Sequence, residues 1–401
     1  MLSRNAPDCR VSETNEMPSW AGPEVFPAKP ESSAYGALSR KGRRSEFESL
    51  EALSAHVRSS RESVEAVWTP DTDWMVPPEA VCDLLEPLRQ RFVDLAEADC
   101  SNARRNSVVF GVLLLWALYA SLANARLPTD SVEVGLAGLL LLILGLIPWY
   151  DARRARKQGW ELEEESLAAE EEEARFERWL GQERSTLTMV LLGLLVVAGV
   201  VQIWVGLEAS VAAAGLDKDL YEKGRGGVRV FTAPFLHGHP LHWALNAAGL
   251  WYIGRRVEAL ARWPHLGLVF LVAMLAGGVA TAELMPGRPS VGASGGLMGL
   301  LGFLLVFETL HPRLVPHPTR RRLFAALLLT FVVGFVGYQF IDNYAHAGGL
   351  AAGILYAVVV FPRSRSTRRP RTNKIDLVSG AAAVLVLTTS ALVAVVLMIA
   401  S

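Results

Sequence analysis

Nine segments of the chain consist mainly of apolar and small residues and contain no Lys, Arg, Asp or Glu. Each is about 17 to 25 residues long, which is the length that a helix needs to cross the hydrocarbon core of a bilayer. The segments are 107–125, 134–150, 185–207, 231–254, 263–282, 289–307, 323–341, 343–362 and 377–401. One such run is also compatible with a buried helix of a soluble protein, but nine in succession predict an all-α polytopic membrane protein.

The positive charges between these segments indicate how the chain is oriented. Lys and Arg are concentrated at every second connection, and membrane proteins keep such loops in the cytoplasm. The basic connections are 104–105, 153–157, 255–262, 313–322 and 363–374. The pattern predicts an integral multi-pass protein of the cell (inner) membrane with a cytoplasmic N-terminus, whose even-numbered segments run inward from the extracytoplasmic side.

Two charged regions lie outside the apolar segments. Residues 1–106 have no charged and then apolar leader and contain all three cysteines, so we expect a cytoplasmic region with reduced thiols. Its Pro-, Ser- and Gly-rich residues 1–45 predict disorder, and the apolar periodicity that follows predicts a small helical module. Residues 151–184 predict a charged cytoplasmic helix, solvated or interfacial. The net charge of −1 gives no indication of a nucleic-acid partner.

Strongly polar side chains inside apolar spans are costly and are candidates for function. They are His237, His239, His242, Asn246, His265, Ser294 and His346. The segments that contain Ser294 and His346 both run inward, and at 1.5 Å per helical residue both residues lie within roughly 6 to 9 Å of the outer charged loops. A hydroxyl and an imidazole at one depth are what a nucleophile and its general base require.

Small residues surround both of these candidates. Ser294 follows Gly292 and precedes Gly295, and His346 has Gly349 on the same helical face one turn later. Such faces let two helices approach closely, so the serine segment taken alone favours a packing role. The cost of burying an imidazole without a purpose favours a catalytic pair.

His242 and Asn246 are four residues apart, so a helix places both side chains on one face. With a backbone N–H they supply donors for the oxyanion of an acyl-transfer reaction. A metal site built from His237, His239, His242 and His346 is a weaker alternative by residue type. Because no Cys or carboxylate ligand lies nearby and no His-Glu-x-x-His motif is present, we expect neither a metal nor another cofactor.

In their order along the chain, these motifs resemble those of the rhomboid family of intramembrane serine proteases, over about residues 185–362. The matching stretches are Phe231-Thr232 through His237 with His242-x-x-x-Asn246, Gly292-Ala293-Ser294-Gly295, and Ala345-His346-Ala347-Gly348-Gly349. The resemblance implies a six-helix core in which Ser294 is the nucleophile and His346 is the general base. It also implies an oxyanion hole formed by His242, Asn246 and the Ser294 amide.

The same resemblance assigns supporting roles and a domain organisation. The supporting residues are His237, Gly292, Gly295 and Gly349, while Arg229 and Glu258 match positions that brace the first outer loop and the second core helix. The predicted regions are 1–106 (cytoplasmic), 107–150 (two additional transmembrane helices), 151–184 (charged helix), 185–362 (protease core) and 363–401 (basic loop and C-terminal transmembrane helix).

Some features depart from the family pattern or leave alternatives open. Met298 stands where the family often has an aromatic ring stacked on the base, and the additional helices have no counterpart in the core. Gly292-x-Ser294-x-Gly296 also matches the nucleophile elbow of soluble hydrolases, although that motif requires a strand before the serine. The expected function is cleavage of transmembrane protein substrates within the lipid membrane. The alternative is an inactive rhomboid-like scaffold that binds client helices, and the oligomeric state stays open.

Overall fold

The computed structural model describes residues 17–401 except 32, 61, 129–130, 286, 288 and 339–340. The prediction of disorder for residues 1–16 therefore lies outside the described residues. From residue 17 onward the chain forms a small N-terminal module and a large bundle of helices. The mostly helical architecture confirms the predicted class of polytopic helical membrane protein.

The N-terminal module contains an antiparallel sheet, with strands β1 (Tyr35–Ser39), β2 (Arg44–Phe47) and β3 (Val64–Trp68) in the order β2-β1-β3. Helix α1 (Leu50–Ser59) begins where the Ser49 hydroxyl accepts a hydrogen bond from the Ala52 amide at 3.3 Å. The fully buried Leu53 and Val57 of α1 pack with Val67 of the sheet. Disorder up to residue 45 and a purely helical module were therefore wrong predictions. Strands of four or five residues leave almost no periodic signal, and their order comes from pairing across the sheet.

Two long helices follow the module. Helix α2 (Leu85–Ala123) is continuous, so the predicted boundary at residue 106 falls inside a helix rather than between two units. Helices α3 (Val132–Leu141) and α4 (Ile147–Trp160) are joined by a π-helical turn at Leu142–Leu146. This turn packs on α2, where the Asn106 amide donates to the Leu144 carbonyl at 3.2 Å.

Helix α5 (Glu164–Gln182) connects these helices to the bundle. The charged stretch that contains it was predicted to be a solvated or interfacial helix, but the apolar face of α5 is buried, with Phe176 fully inaccessible and Trp179 nearly so. The same face also holds the chain that precedes the sheet, because Arg178 and Gln182 both donate to the Val25 carbonyl, at 2.9 and 3.0 Å. The N-terminal module is thus packed against the bundle through α5.

The remaining helices form the bundle. They are α6 (Thr186–Val205), α7 (Leu207–Ala214), α8 (Lys218–Glu222), α9 (Arg229–Thr232), α10 (Pro240–Gly249), α11 (Arg255–Ala261), α12 (Trp263–Leu284), α13 (Ser294–Leu310), α14 (His317–Val336), α15 (Asn343–Val360) and α16 (Lys374–Ile399). A π-helical turn at Leu250–Gly254 joins α10 to α11. Gly206, with φ +99°, ends α6, and Arg262, with φ +72°, separates α11 from α12.

Six helices in the described part of the chain are long and apolar enough to cross a membrane. They are Cys82–Ala123, Glu133–Trp160, Thr186–Val205, Trp263–Leu284, Asn343–Val360 and Lys374–Ile399, and Ser294–Leu310 is a shorter apolar helix. The predicted span 231–254 is not one helix, because the chain between Phe235 and Pro240 is not helical and α10 begins only at Pro240. The predicted span 323–341 overlaps α14, which ends at Val336 and is not among these six helices.

Small residues bring α12, α13 and α15 into backbone contact at the centre of the bundle. A Cβ added to Gly277 of α12 would lie 2.6 Å from the Ala345 carbonyl oxygen of α15. Cβ atoms added to Gly349 and Gly353 of α15 would overlap the carbonyl groups of Gly295 and Gly299 on α13. These close approaches explain why glycine recurs along both helices, since any side chain there would push the helices apart.

A buried ion pair stabilises the end of the bundle where α11 meets α13. Arg256 donates to Glu308 at 2.7 Å, and their side chains are 4% and 0% exposed. Glu258, the neighbouring carboxylate of α11, accepts bonds from the Leu187 and Thr188 amides at 2.9 Å each. These amides belong to the first turn of α6, whose N–H groups have no partner within the helix. Glu258 thereby fastens α11 to the start of α6.

Glu79 of the N-terminal module is half-buried, and its inaccessible Oε2 atom has no hydrogen-bond partner among the described residues. Burial raises its pKa from the ordinary value of 4.5 to about 7, with Glu170 and Glu171 adding to the increase and Arg91 opposing it. Between pH 4.5 and 7 the folded module therefore holds a proton that the unfolded chain has lost. The free energy of unfolding should consequently fall as pH rises through this window.

We expect Glu79→Gln to remove this pH dependence and to stabilise the module at pH 8, by on the order of 1 to 3 kcal/mol. Hydrogen exchange of the β3 amides in the full-length protein, at pH 5.5 and 8, measures the effect after correction for intrinsic exchange rates. Glu48→Gln is the matched control, because Glu48 is an exposed carboxylate of the same module. An equal pH dependence of the corrected protection in wild type and Glu79→Gln would contradict the prediction.

Candidate active site

Ser294 is the first residue of α13, and the backbone before it is shaped by glycine. Gly292 has φ +119°, a conformation that side chains rarely adopt, and its amide donates to the Ala233 carbonyl at 3.0 Å. Ser290 lies two residues earlier and forms an isolated β-bridge with Leu216, with both N···O distances at 3.0 Å. The non-helical segment Ser290–Ala293 thus ends at the serine, where α13 begins. Ser294 is presented at a helix N-terminus, where free N–H groups favour negative charge.

His346 lies in the first turn of α15, which is capped by Asp342. The Asp342 carboxylate accepts a hydrogen bond from the Ala345 amide at 3.0 Å. Ala345 is the contact point with α13, since a Cβ added to Gly295 would lie 3.3 Å from its carbonyl oxygen. The residue after Ser294 therefore faces the residue before His346 across the α13–α15 interface.

The side chains of Ser294 and His346 are both half-buried. Within the described residues, neither side chain makes a hydrogen bond, so the hydroxyl and the imidazole are not joined in this conformation. Catalytic hydrogen bonds are often long or poorly aligned without substrate and tighten in the complex. The packing of α13 against α15 brings the two segments together, and neither side chain is engaged by another described residue.

His242 and Asn246 lie on α10 and face Gly292. A Cβ added to Gly292 would lie 2.6 Å from His242 Cε1 and 3.4 Å from Asn246 Nδ2. Asn246 is 5% exposed, and its Nδ2 has no hydrogen-bond partner among the described residues. A buried amide donor without a partner is costly, so its proximity to the segment before Ser294 indicates a group kept ready for a ligand oxygen.

His237 lies in the non-helical chain before α10 and supports the site through packing. Its ring is 1% exposed and lies at 5.0 Å and 75° from the His242 ring, an edge-on contact. Its backbone is held by Gln202 of α6, which accepts from the His237 amide at 2.8 Å and donates to its carbonyl at 3.1 Å. Gln202 is 1% exposed and was missed in the sequence analysis, although a glutamine within an apolar span is itself a signal.

The other candidates lie apart from Ser294 or act as structure. His239 caps α10 by accepting the Leu241 amide at its Nδ1, and His265 is paired with the Tyr356 hydroxyl at 2.8 Å. Arg229 donates to the carbonyls of Ala212 and Gly215, which braces the α7–α9 connection as the resemblance implied. Met298 is buried in the core of the bundle. In the part of the chain that the structure describes, no group of three His, Cys, Asp or Glu side chains is arranged to hold a metal.

The fold and these residues define a polytopic membrane protein with a polar site between α10, α13 and α15. The family model for the Rhomboid domain matches residues 225–363, so this part of the chain is similar to a Rhomboid domain. The matched range contains every residue that the resemblance placed in the site. Helix α6 lies before the matched range.

Curated relatives resemble the chain over the same region. RHOMBOID-like protein 4 of Arabidopsis thaliana is 31% identical over 149 residues, which is 37% of this chain and 38% of the relative. The human Inactive rhomboid protein 1 is 29% identical over 136 residues, 33% of this chain and 16% of the relative. The human Inactive rhomboid protein 2 is 31% identical over a stretch of 136 residues. The chain thus spans well under half the length of these relatives.

Proposed function

We propose that this protein is an intramembrane serine endopeptidase that cleaves transmembrane protein substrates near the extracytoplasmic face. The observation that carries the proposal is the buried Asn246 amide, which has no hydrogen-bond partner in the part of the chain that the structure describes and lies with His242 against Gly292, two residues before Ser294. Donors directed at one place beside a half-buried hydroxyl are what acyl transfer requires. A packing role for these residues gives no reason to leave the amide unpaired.

In the proposed reaction, the Ser294 oxygen attacks the scissile carbonyl carbon while a ring nitrogen of His346 takes the hydroxyl proton. The carbonyl electron pair moves to oxygen, and His242, Asn246 and the Ser294 amide stabilise the resulting negative charge. Collapse of this intermediate breaks the C–N bond, and the imidazolium protonates the leaving amine. Water then attacks the acyl-enzyme with the same base, which releases the new carboxylate and restores Ser294.

The proposed substrate is a transmembrane segment that unwinds near its outer end, because a continuous helix keeps its peptide groups hydrogen-bonded and covered. Water must also reach the site. Non-helical backbone at membrane depth is tolerated where it lines protein or an aqueous cavity, and the chain before Ser294 has this character. We further propose that the N-terminus is cytoplasmic and that the protein resides in the cell (inner) membrane, as the distribution of Lys and Arg favours.

A second candidate function is supported by the names of the two human relatives, both called inactive. In that case the protein is a rhomboid-like scaffold that binds client transmembrane helices without cutting them. Ser294 and His346 would then have no chemical role. The two functions differ in one property, which is the nucleophilicity of Ser294.

A fluorophosphonate probe measures this property directly in purified protein. We expect covalent labelling of Ser294, located by mass spectrometry, and a loss of at least about 100-fold in labelling rate in His346→Ala, because the serine loses its base. His56→Ala, which changes a histidine of the N-terminal module, should label at the wild-type rate. Folded wild-type protein that does not react, or a His346→Ala variant that reacts normally, would favour the scaffold.

A further inference from the structure

Asp342 lies directly before α15, and both of its carboxylate oxygens are engaged. Oδ1 accepts the hydrogen bond from the Ala345 amide at 3.0 Å, which caps the helix one residue before His346. Oδ2 accepts two hydroxyl groups, from Thr281 and from Ser290, each at 2.6 Å. Hydrogen bonds to an ionised acceptor are short and strong, and these two hydroxyl bonds lie in the range typical of O–H···O⁻.

The three donors belong to three different segments of the site. Ala345 is in the first turn of α15, Thr281 is in the last turn of α12, and Ser290 belongs to the chain that leads into Ser294. Thr281 is fully buried, so its hydroxyl has no access to solvent as a replacement partner. Ser290 is also bridged to Leu216 through its backbone. The Asp342 carboxylate therefore links α15, which carries His346, to the segment that precedes Ser294. Through the backbone of Ser290, it is also linked to the connection between α7 and α8.

A buried cation accompanies this carboxylate. Lys218, the first residue of α8, is 2% exposed. Burial lowers the pKa of Lys218 below its ordinary value, and the negative charge of Asp342 opposes that decrease. The Asp342 carboxylate thus lowers the cost of burying the positive charge of Lys218. An uncharged side chain at position 342 would not have this second effect.

We propose that Asp342 is a positioning residue of the protease, which sets the place of the His346 imidazole relative to the Ser294 hydroxyl by joining α15, α12 and the segment before the serine. This inference rests on the proposed function. Across the described ranges, no hydrogen bond holds the Ser294 or the His346 side chain, so their relative position depends on the backbones that carry them. Displacement of reacting groups by about 1 Å costs on the order of 100-fold in rate.

Substitutions at Asp342 distinguish the effect of its hydrogen bonds on catalysis from the effect of its negative charge. Asparagine keeps an acceptor for the Ala345 amide, and its NH₂ group can donate to the Thr281 and Ser290 oxygens after both hydroxyls rotate. Alanine removes all three bonds. We expect kcat for a reporter substrate to fall about 10- to 100-fold in Asp342→Ala with KM within about 2-fold, and to stay within about 3-fold of wild type in Asp342→Asn.

The test measures kcat, KM and the rate of fluorophosphonate labelling per folded molecule, with melting temperature recorded for each variant. Asp376→Ala is the matched control, because Asp376 caps α16 by accepting the Asn373 amide at 2.8 Å, away from Ser294. The Asp376→Ala variant should have a lower melting temperature than wild type but the same kcat. If Asp342→Ala does not fold, the double variant Thr281→Val with Ser290→Ala tests the same link with the α15 cap intact, and it should lose at least about 10-fold in kcat.

Two outcomes would overturn the inference. One is a turnover per folded molecule in Asp342→Ala, or in the double variant, equal to that of Asp376→Ala. The other is an equal loss in Asp342→Asn and Asp342→Ala, which would assign the effect to charge instead of to the three bonds. Failure of the proposed function has a separate signature, because wild-type protein would then show no Ser294-dependent cleavage or labelling.

Discussion

Ser294→Ala is expected to abolish cleavage of a reporter transmembrane helix, with a loss of at least about 1,000-fold in rate. The substitution removes the proposed nucleophile, and donors at His242 and Asn246 have no covalent step left to assist. Membrane insertion and folding should be unchanged, because the Ser294 side chain is half-buried and makes no hydrogen bond among the described residues. Co-expression of the reporter followed by immunoblotting of its fragments measures the effect.

Ser379→Ala is the control for this experiment. Ser379 lies in α16 and its hydroxyl donates to the Ile375 carbonyl of the same helix at 2.7 Å. The same chemical change is thus made in a membrane helix away from the site, and cleavage should continue. Cleavage of the reporter by Ser294→Ala at the wild-type rate would end the protease proposal, and co-purification of the intact reporter with this variant would then support the scaffold.

Gly353→Leu is expected to disrupt the bundle and thereby eliminate both labelling and cleavage. A Cβ at Gly353 would overlap the Gly299 carbonyl, and backbone atoms of a packed helix have no free space into which they can withdraw. Separation of α13 from α15 would also move His346 away from Ser294. We expect a destabilisation of at least about 3 kcal/mol, seen as a lower melting temperature in detergent.

Gly193→Leu provides the matched control for this prediction. Gly193 lies in α6, and a Cβ added there meets no atom within 4 Å. The variant makes the same substitution in a membrane helix, so the changes in helix propensity and in apolar volume are the same. The clash with a neighbouring backbone carbonyl is absent. A melting temperature and a Ser294 labelling rate for Gly353→Leu equal to those of Gly193→Leu would contradict the close approach of α13 and α15.

The membrane helices were accessible from sequence because their signal is local. A run of uncharged residues long enough to cross a bilayer must be a helix there, since no water is available for its backbone groups. The same logic identified the polar residues within the spans, and the four-residue spacing of His242 and Asn246 placed both on one face of α10. The structure has this arrangement, with both side chains directed at Gly292.

The sheet of the N-terminal module was not accessible in this way. Its three strands have four or five residues each, and β2 alternates exposed and half-buried positions. Trp68 packs on Gly36 across the sheet, a contact between residues far apart in sequence. Such strands are stabilised by cross-strand partners rather than by their own composition, so a Pro- and Ser-rich context suggested disorder instead.

Asp342 is an example within the site of a residue whose contacts could not be predicted from the local sequence. Asp342 lies just before the apolar segment 343–362, a position that gives no local signal of its partners. Its function depends on Thr281 and Ser290, which lie 61 and 52 residues away. Hydrogen bonds between side chains so far apart in the chain follow from how α12, α13 and α15 pack, and no local pattern encodes them.

Composition and spacing along the chain therefore predicted most of the membrane helices and the polar residues inside them, because desolvation acts on each segment separately. Packing specified the rest: the break before α10 held by Gln202, the glycine contacts of α13 with α15, and the carboxylate that links three segments beside Ser294. Each of these features requires groups from different segments, either a hydrogen-bond donor and its acceptor or a glycine and the carbonyl group that packs against it. They therefore form only when segments that are distant in sequence come together.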